Sequence, residues 1–403
     1  MFYLGIDVSK SSSRYVMLDN EGEKLTQPFS LLNDKDSFAK LLLKIEKLNI
    51  NAKNILAGIE ATGIWWENLY SFLTDNGFKV IVLNPYQTNK FREALRFKAK
   101  TDDIDAYVIA GLLRSNEYAE NFVPEDNIQS LREFTKLRYE FIKNKAGYER
   151  QAISLLSLIF PEYAKTAIKN PFAVASMAIL KQYPTAKHLS LAKPKDIEKI
   201  VRSIKGNNFN INEINHLIET AKNSIYSGRA KTARGLNLSM ILAQIKSLND
   251  SISTLDDQIK DILDNDKNDN SLSYNLSTIP GVGQKTIAAV LSAIGSDAKT
   301  FSSSKKFIGY IGFFPQIYES GETRRDNLIS NRGPKYLRWA FYISAVACLR
   351  HNNELRTVYY KKLSQGKSSK QALICVAKKL ALIMFSIIKS GKPYDPNRVF
   401  VCS

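Results

Sequence analysis

The order of strand-like and helix-like segments over the first 84 residues is the feature that most restricts the fold. Two β-prone runs, "FYLGIDVS" and "SRYVMLDN", are separated by a serine-rich turn, and "KLTQPFSLL" supplies a candidate third strand. Apolar residues then recur with a helical period from Asp36 to Leu48. The strand-like "NILAGIEA", a helix from about Ile64 to Asp75 and the strand-like "KVIVLN" follow. A hairpin followed by alternating strands and helices predicts a mixed α/β sheet.

Four acidic residues occupy positions that such a sheet brings together. Asp7 lies in the first strand, Glu60 ends a later one, and Asp102 and Asp105 share one face of a helix that begins near Thr101. The element order is the ribonuclease-H-like one, and strand ends and helix starts in α/β sheets converge on one cleft. Converging carboxylates repel one another unless a cation neutralises them, and their hard oxygens suit Mg²⁺ or Mn²⁺. We predict a site for two ions about 4 Å apart that assists phosphoryl transfer.

A purely local explanation of "TDDID" competes with this metal site. Thr101 suits an N-cap, and acidic residues in the first helical turn interact favourably with the helix dipole. Asp103 points away from the face of Asp102 and Asp105, so we leave it out of the predicted site. The positions of Asp7 and Glu60 in the strand order favour the metal site over the local explanation.

A basic strip, "NKFREALRFKAK", precedes the acidic helix. It contains one acidic residue, Glu93, and the cations Lys90, Arg92, Arg96, Lys98 and Lys100. A strip of this kind beside an acidic cleft suits a phosphodiester backbone that approaches bound metal. A solvated helix face is the alternative, and the sequence does not separate the two.

Positive charge is concentrated in the last third of the chain. Residues 1–110 hold 14 Lys+Arg and 14 Asp+Glu, whereas residues 277–403 hold 20 against 6, a net of +14. This asymmetry indicates a nucleic-acid partner more than an anionic membrane surface. Three scattered cysteines, no recognisable export signal and no apolar run of about 18 residues favour a cytoplasmic protein without a membrane segment.

Two long helical patterns occupy the middle of the chain. One runs from Leu131 to Ile159, and the other from about Leu236 to Leu263. In the second, apolar residues alternate at steps of four and three, the coiled-coil spacing, at Ile241, Ile245, Leu248, Ile252, Leu255, Ile259 and Ile262. We expect an antiparallel pair or a subunit contact, with residues 162–235 as a helical insertion. The predicted domains are 1–125, 126–270 and 271–403.

The C-terminal third carries candidate nucleic-acid contacts in a predicted helical domain. "STIPGVGQKTIAAVLSAIG" has the pattern of a helix-hairpin-helix, in which Gly281 and Gly283 allow a tight turn and the next helix begins near Lys285. We expect that helix to bury Ile287, Val290, Leu291 and Ile294. Further along, "SNRGPKYLRWAF" offers Arg332, Lys335 and Arg338 for phosphates, whereas packing suits Trp339 better than base stacking.

Ser320 in "PQIYESGETRRDN" is a second chemical candidate. Its hydroxyl lies in a presumed loop near Arg324 and Arg325, which have the chemistry to stabilise a charged phosphoryl-transfer transition state. A serine followed by glycine is also common in turns, and the residues alone favour this structural role over a catalytic one.

These motifs together resemble a known family, the insertion-sequence transposases whose N-terminal RuvC-like domain carries an Asp-Glu-Asp-Asp set, relatives of the Piv-type DNA invertases. The matching segments are "GIDVSK", "GIEATG", "KTDDIDA", "IPGVGQKTIAAVLSAIG", "FIGYIGFFPQIYESGETRR" and "ISNRGPKYLRWAF". The resemblance implies that Ser320, with Ser330 as its rival, attacks the DNA phosphate, and that the acidic site of another subunit activates it through Mg²⁺. It also implies a noncoding guide RNA that pairs with donor and target double-stranded DNA, and a homo-oligomer, a dimer or tetramer.

Other classes of protein remain open at this level. A structure-specific nuclease or Holliday-junction resolvase would use the same four acids with water as nucleophile. A sugar-kinase or actin-like ATPase also begins with a strand like "GIDVSKSSSRYV", but its phosphate-binding hairpin normally has a glycine soon after the aspartate, which is absent here. The last alternative is a DNA-binding protein without enzymatic activity.

Overall fold

The computed structural model describes residues 1–61, 63–97, 101–118, 123–166, 170–205, 209–265, 271–295, 300–320, 323–329 and 333–398, with the backbone alone for 315–320 and 323–329. The chain divides into two compact units, Met1–Pro124 and Glu125–Ser403.

The first unit is built on a five-stranded mixed sheet. Its strands are β1 (Phe2–Val8), β2 (Ser12–Leu18), β3 (Phe29–Leu32), β4 (Ile55–Glu60) and β5 (Lys79–Leu83). Their order is β3-β2-β1-β4-β5; β1 pairs antiparallel with β2 and parallel with β4, and β5 continues the parallel part. The predicted mixed sheet is confirmed, and its order is consistent with a ribonuclease-H-like domain. The third strand covers only the last four residues of the predicted segment.

Helices cover both faces of this sheet. They are α1 (Lys35–Glu46), α2 (Trp66–Asp75), α3 (Pro85–Ala94) and α4 (Asp102–Ser115). The alternating residues Leu4, Ile6 and Val8 of β1 share one buried cluster with residues of α1 and α2. α4 lies on the opposite face, where it packs on β1, β2 and β4. Because successive side chains of a strand point to opposite faces, β1 contributes to both layers.

Two long helices organise the second unit. They are α5 (Asp126–Ile159) and α10 (Lys231–Asn265), which pack against each other. Near one end Arg138 of α5 is paired with Asp256 of α10, and near the other end Leu156 shares a buried cluster with Leu238. The later residue of α5 therefore meets the earlier residue of α10, so the pair is antiparallel, which was one of the two predicted arrangements.

The coiled-coil stripe predicted on α10 is only partly buried. Of its seven positions, Ile245, Leu255 and Ile259 are buried, whereas the others are half-buried. The burial follows two separate contacts, one with the helical insertion and one with the start of α5. No residue is fully buried between Arg138 and Ala152 on α5 or between Ile245 and Leu255 on α10. The heptad-spaced positions are thus all at least half-buried, and the most buried of them lie towards the two ends of the helix.

The described part of residues 162–235 is mostly helical, as expected for the insertion. They form α6 (Val174–Gln182), α7 (Ala186–Ser190), α8 (Pro194–Arg202) and α9 (Ile211–Lys222). Buried apolar residues of these helices, among them Ile179, Leu189, Ile197 and Leu217, share one cluster with the neighbouring ends of α5 and α10. The insertion therefore packs as a cap on one end of the helix pair.

The remainder of the second unit is mostly helical, but it contains a strand pair. Its elements are α11 (Leu272–Ser277), α12 (Gln284–Ile294), α13 (Ser304–Ile311), β6 (Pro315–Ser320), β7 (Thr323–Ile329), α14 (Lys335–His351), α15 (Asn353–Ser364) and α16 (Ser369–Ser390). The antiparallel pair β6–β7 corrects the prediction of a purely helical domain. The β-prone residues Ile317 and Tyr318 fit this correction.

α16 is the one helix in the described part of the chain that is long and apolar enough to cross a membrane. Half of its most apolar window is buried inside the protein, where α16 packs on α11, α13, α14 and α15. Burial of this kind is typical of a core helix.

Candidate active site

The ends of two parallel strands place two of the predicted acids side by side. β1 and β4 pair in register up to Ile6 and Ile59, and Asp7 and Glu60 are the next residues of each strand. Adjacent strands lie about 4.8 Å apart, and residues at matching positions of parallel strands project from the same face. Asp7 and Glu60 therefore leave the sheet as neighbours on one side.

Two glycines bring α4 onto that same side. A Cβ atom added to Gly5 would lie 2.0 Å from the backbone oxygen of Ala106, and one added to Gly58 would lie 2.7 Å from Cδ1 of Leu113. Gly5 and Gly58 are partners in the β1–β4 register, and each precedes an acid by two residues, so it shares the face of that acid. The missing side chains thus allow the helix to lie directly on the strands that carry Asp7 and Glu60.

Local interactions stabilise the start of α4. The N-cap residue Thr101 accepts a hydrogen bond from the backbone N–H of Ile104, and three aspartates lie in the first turn, near the positive end of the helix dipole. Arg14 on β2 is paired with Asp103, and this hydrogen bond lowers the pKa of the Asp103 carboxyl. The same hydrogen bond raises the pKa of Arg14, burial opposes this rise, and the charges of Asp103 and Asp102 add to it. The local explanation of the acidic cluster therefore accounts for Asp103, whereas Asp102 is exposed.

α3 contacts two of the four acids. The Thr88 hydroxyl donates to Oε2 of Glu60 at 2.6 Å, and Nη1 of Arg92 donates to Oδ1 of Asp105 at 2.8 Å. The side chains of Arg92 and Asp105 are only 18% and 15% exposed. A small pocket is lined by Glu60, Thr88, Asn89, Arg92, Asp105 and Val108. Glu60 and Asp105, which lie 45 positions apart in sequence, thus face the same pocket.

The donor chemistry of this site fits a divalent cation, but the carboxylates are not gathered tightly. Among the residues that the structure describes, no three His, Cys, Asp or Glu side chains are placed to hold one ion. Asp105 is instead paired with Arg92, so its carboxylate already interacts with a positively charged group. Carboxylate oxygens are the ligands that Mg²⁺ and Mn²⁺ prefer. Asp7, Glu60, Asp105 and the exposed Asp102 are the residues that would hold such an ion.

The predicted basic strip is only partly a free surface. Lys90 is paired with Glu93 at 2.6 Å on an exposed face of α3, and Arg92 is turned into the pocket. Arg96 is exposed just beyond α3, with a left-handed backbone (φ 59°). Lys98 and Lys100 lie outside the described residues.

In the second unit, the predicted helix-hairpin-helix segment forms α11, a turn and α12. A Cβ atom on Gly281, whose φ is +92°, would lie 2.8 Å from Cα of Cys348, so this glycine lets the turn pack on α14. Gly283 is the exposed N-cap of α12. Lys285 is 55% exposed, but its Nζ lies 2.6 Å from Oδ2 of Asp256. α12 buries Ile287, Val290, Leu291 and Ile294, as predicted.

Ser320 lies at the end of a strand, not in the presumed loop. It is the last residue of β6 and is paired in register with Thr323, the first residue of β7. Arg324 and Arg325 follow on β7. Ser330 and Arg332 are outside the described residues.

The basic segment after this hairpin forms the start of α14. Lys335 is exposed, and Nη1 of Arg338 donates to the backbone oxygen of Ile311 at 3.1 Å. The Trp339 ring lies 5.8 Å from that of Tyr139, measured between centroids, so Trp339 packs within the unit as predicted.

Sequence reasoning missed the partners of the acids. Thr88, Asn89 and Arg14 were not singled out, and Arg92 was assigned to nucleic acid alone. The glycines of "GID" and "GIE" were a usable signal, because a glycine two residues before each acid marks a close approach on the acid's own face. The pairing of Arg14 and Arg92 had no comparable signal, since it depends on the register of β2 and on the approach of α3 to α4.

Comparison with known proteins identifies the family. Residues 4–161 match a transposase domain with a DEDD set, and residues 273–360 match the transposase domain of the IS116/IS110/IS902 family. The pilin gene-inverting protein of Moraxella bovis is 24% identical over 98% of this chain and 97% of its own length. The putative transposase of the IS117 mini-circle from Streptomyces coelicolor is 24% identical over 99% and 96%. An uncharacterised protein of insertion element IS116 from Streptomyces clavuligerus is 23% identical over 98% and 96%. The chain belongs to the IS110/IS116 family of transposases.

Proposed function

We propose that this transposase cuts and rejoins double-stranded DNA by direct attack of Ser320 on a phosphodiester, assisted by Mg²⁺ or Mn²⁺ at the acidic site. The observation that carries the proposal is the position of α4, which lies on Gly5 and Gly58 and brings Asp105 to the pocket that Glu60 lines. The likeness to a pilin gene-inverting protein, whose name describes DNA inversion, supports the same class of reaction.

The chemical step is an exchange of one phosphoester bond for another. A bond forms between Oγ of Ser320 and phosphorus, the bond from phosphorus to the leaving nucleoside oxygen breaks, and the serine proton ends on that oxygen. Rejoining reverses the step with a different DNA end. A divalent ion bound by the acids would supply charge stabilisation for the phosphoryl oxygens.

The chain's own residues have distinct tasks in this scheme. Asp7, Glu60, Asp102 and Asp105 hold the ion, and Thr88 orients Glu60 through its hydroxyl. Arg324 and Arg325, the next two cations after Ser320, would offset the charge of the phosphate under attack.

The three predicted parts of the chain divide the work. Residues 1–125 carry the acids, 126–270 the long helices, and 271–403 the serine and most of the DNA contacts. The net charge of +14 on residues 277–403 supports the DNA contacts. Candidate contacts there are Gly281, Gly283, Lys285, Arg332, Lys335 and Arg338, and Lys90, Arg96, Lys98 and Lys100 extend the basic surface beside the acids.

Charge-removing substitutions of the acids test the acidic site. We expect Asp105→Asn and Glu60→Gln to abolish DNA cleavage, with DNA binding retained. Asp103→Asn is the control, because Asp103 is paired with Arg14 and has no proposed part in the reaction. Cleavage by Asp105→Asn at the wild-type rate would overturn the proposal.

Ser320→Ala separates transposase chemistry from that of a nuclease or Holliday-junction resolvase. We expect wild-type protein to form a covalent protein–DNA adduct that is resistant to denaturation and maps to Ser320, and the variant to form none. Undiminished cleavage by Ser320→Ala would instead support the nuclease with water as nucleophile.

We further propose that a noncoding RNA guides the protein and that it acts as a dimer or tetramer. The basic C-terminal third suits RNA as well as DNA. We expect ribonuclease treatment to abolish recombination, and we expect RNA transcribed from the DNA that flanks the gene to restore it. Recombination of DNA by ribonuclease-treated protein without added RNA would contradict the RNA requirement.

A further inference from the structure

We propose that Arg92 is a displaceable counter-ion of the acidic site. It neutralises Asp105 when no divalent ion is bound, and it moves to a DNA phosphate when the ion enters, so that ion and DNA bind cooperatively. The inference rests on the proposed function in one respect, that the acidic site binds a divalent ion.

Two hydrogen bonds hold the Arg92 guanidinium beside Asp105. One nitrogen, Nη1, donates to Asp105, and Nη2 is hydrogen-bonded to the side-chain oxygen of Asn89 on the same helix. The Asp105 carboxylate and the Arg92 guanidinium are both mostly enclosed, so solvent screens their attraction only weakly. Asn89 adds no charge but restrains the arginine in this orientation.

A divalent ion and the guanidinium compete for the same oxygens. The pocket that Asp105 and Glu60 line is small, and Arg92 contributes to its wall. An ion bound to Asp105 would lie within a few ångströms of Arg92, where two positive charges in a half-enclosed site repel strongly. Ion entry therefore requires Arg92 to leave Asp105.

Exposed cations flank Arg92 along the same segment of the chain. Lys90 and Arg96 lie on exposed parts of the same segment, and both were predicted to contact nucleic acid. Arginine suits this exchange because its planar fork binds carboxylate and phosphate with similar geometry. A DNA phosphate near α3 would accept the displaced guanidinium, so each ligand would favour binding of the other.

Arg14 is a matched comparison within the same unit. It is also paired with an aspartate of the first turn of α4, but with Asp103, which the pocket does not include. Loss of either arginine removes one positive charge near the start of α4. If Arg92 is displaced by the ion, only the loss of Arg92 should change the affinity for the divalent ion strongly. If the effect is one of general charge, the loss of either arginine should change that affinity to a similar extent.

Mn²⁺ binding, measured by electron paramagnetic resonance on the full chain, tests the inference without reference to activity. Without DNA, we expect Arg92→Gln to bind Mn²⁺ about tenfold more tightly than wild type, because one charge-assisted hydrogen bond no longer competes. Asn89→Ala changes no charge but removes the hydrogen bond that holds Arg92 beside Asp105, so it should tighten Mn²⁺ binding by about threefold. Arg14→Gln should stay within about twofold of wild type, because Asp103 is not a proposed ligand.

DNA supplies the second measurement. All proteins in this measurement carry Ser320→Ala, so that bound DNA is not turned over. Adding a DNA duplex should increase the Mn²⁺ affinity of the protein that retains Arg92 and leave the Mn²⁺ affinity of the protein with Arg92→Gln nearly unchanged. A melting experiment checks that the variant folds. Without divalent ion, Arg92→Gln should melt below wild type, and saturating Mn²⁺ should close that difference.

Equal Mn²⁺ affinity in wild type and Arg92→Gln, or an equal gain in Arg14→Gln, would overturn the inference and leave the proposed function intact. Failure of the proposed function gives a different result: Mn²⁺ binding that Asp105→Asn and Glu60→Gln do not weaken.

Discussion

Gly5→Ala tests whether the close approach of α4 to β1 determines both stability and activity. The new Cβ would lie 2.0 Å from the Ala106 oxygen and 2.6 Å from the Ala110 nitrogen, both of them backbone atoms. Ordinary contact begins near 3.5 Å, so α4 must retreat by roughly 1.5 Å. We expect a loss of about 3 kcal/mol in unfolding free energy, the upper part of the range for an overfilled core.

The same retreat should reduce catalysis. It carries Asp102 and Asp105 away from Asp7 and Glu60, and a misplacement of about 1 Å can cost on the order of a hundredfold in rate. Urea unfolding followed by circular dichroism measures the first effect, and the single-turnover DNA cleavage rate measures the second.

Two other glycines provide graded controls for this test. Gly58→Ala would meet Leu113 Cδ1 at 2.7 Å and Ile109 Cγ2 at 2.9 Å, which are side-chain and not backbone atoms, so we expect a smaller loss of about 1 kcal/mol. Gly111→Ala would meet only Phe91 Cε1 at 3.4 Å and should be neutral or stabilising by up to about 1 kcal/mol, since alanine favours helices. A Gly5→Ala protein within about 0.5 kcal/mol of wild type that still cleaves DNA normally would refute the reasoning.

Two further predictions concern the second unit. Burial alone would raise the pKa of Asp256, but hydrogen bonds from Arg138 and Lys285 outweigh it and hold the pKa below its usual value. This stabilisation is present above the unfolded-state pKa near 3.8 and is lost as the pH falls through the lower folded-state pKa. Asp256→Asn should therefore lower the unfolding free energy by about 2 kcal/mol at pH 7 and by much less at pH 2, as measured by urea unfolding. An equal loss at both pH values would contradict this prediction. Burial raises the pKa of the Cys348 thiol to about 12, so iodoacetamide at pH 8 should leave Cys348 unmodified until the protein unfolds, as peptide mass mapping would record.

The sheet was predictable because its segments alternate clearly in period. β1, β4 and β5 begin and end within a residue or two of their predicted bounds, since each is a short apolar run bounded by polar residues. The β6–β7 hairpin was missed because charged residues such as Glu319 and Arg324 interrupt its apolar pattern. Helical period likewise predicted α10 to within five residues at its start and two at its end, but the stripe alone could not show that its two ends pack against different partners.

The acids were predictable as a set because strand order brings the ends of β1 and β4 together. Their roles in catalysis remain predictions. The ion pairs of Arg14 and Arg92 could not be predicted, since a cation's partner depends on which elements lie side by side. The aspartates in the first turn of α4 show the difference. The sequence indicates that something must balance their charge, and only the tertiary arrangement identifies two arginines on separate elements.

The long helix pair has a consequence for its dynamics. Both α5 and α10 carry buried residues towards each of their ends, whereas no residue between Arg138 and Ala152 or between Ile245 and Leu255 is buried. Backbone amides normally exchange with solvent fastest at helix termini, where fewest contacts resist opening. Here deuterium uptake should instead be fastest at mid-length, so that each helix would bend most readily at its centre.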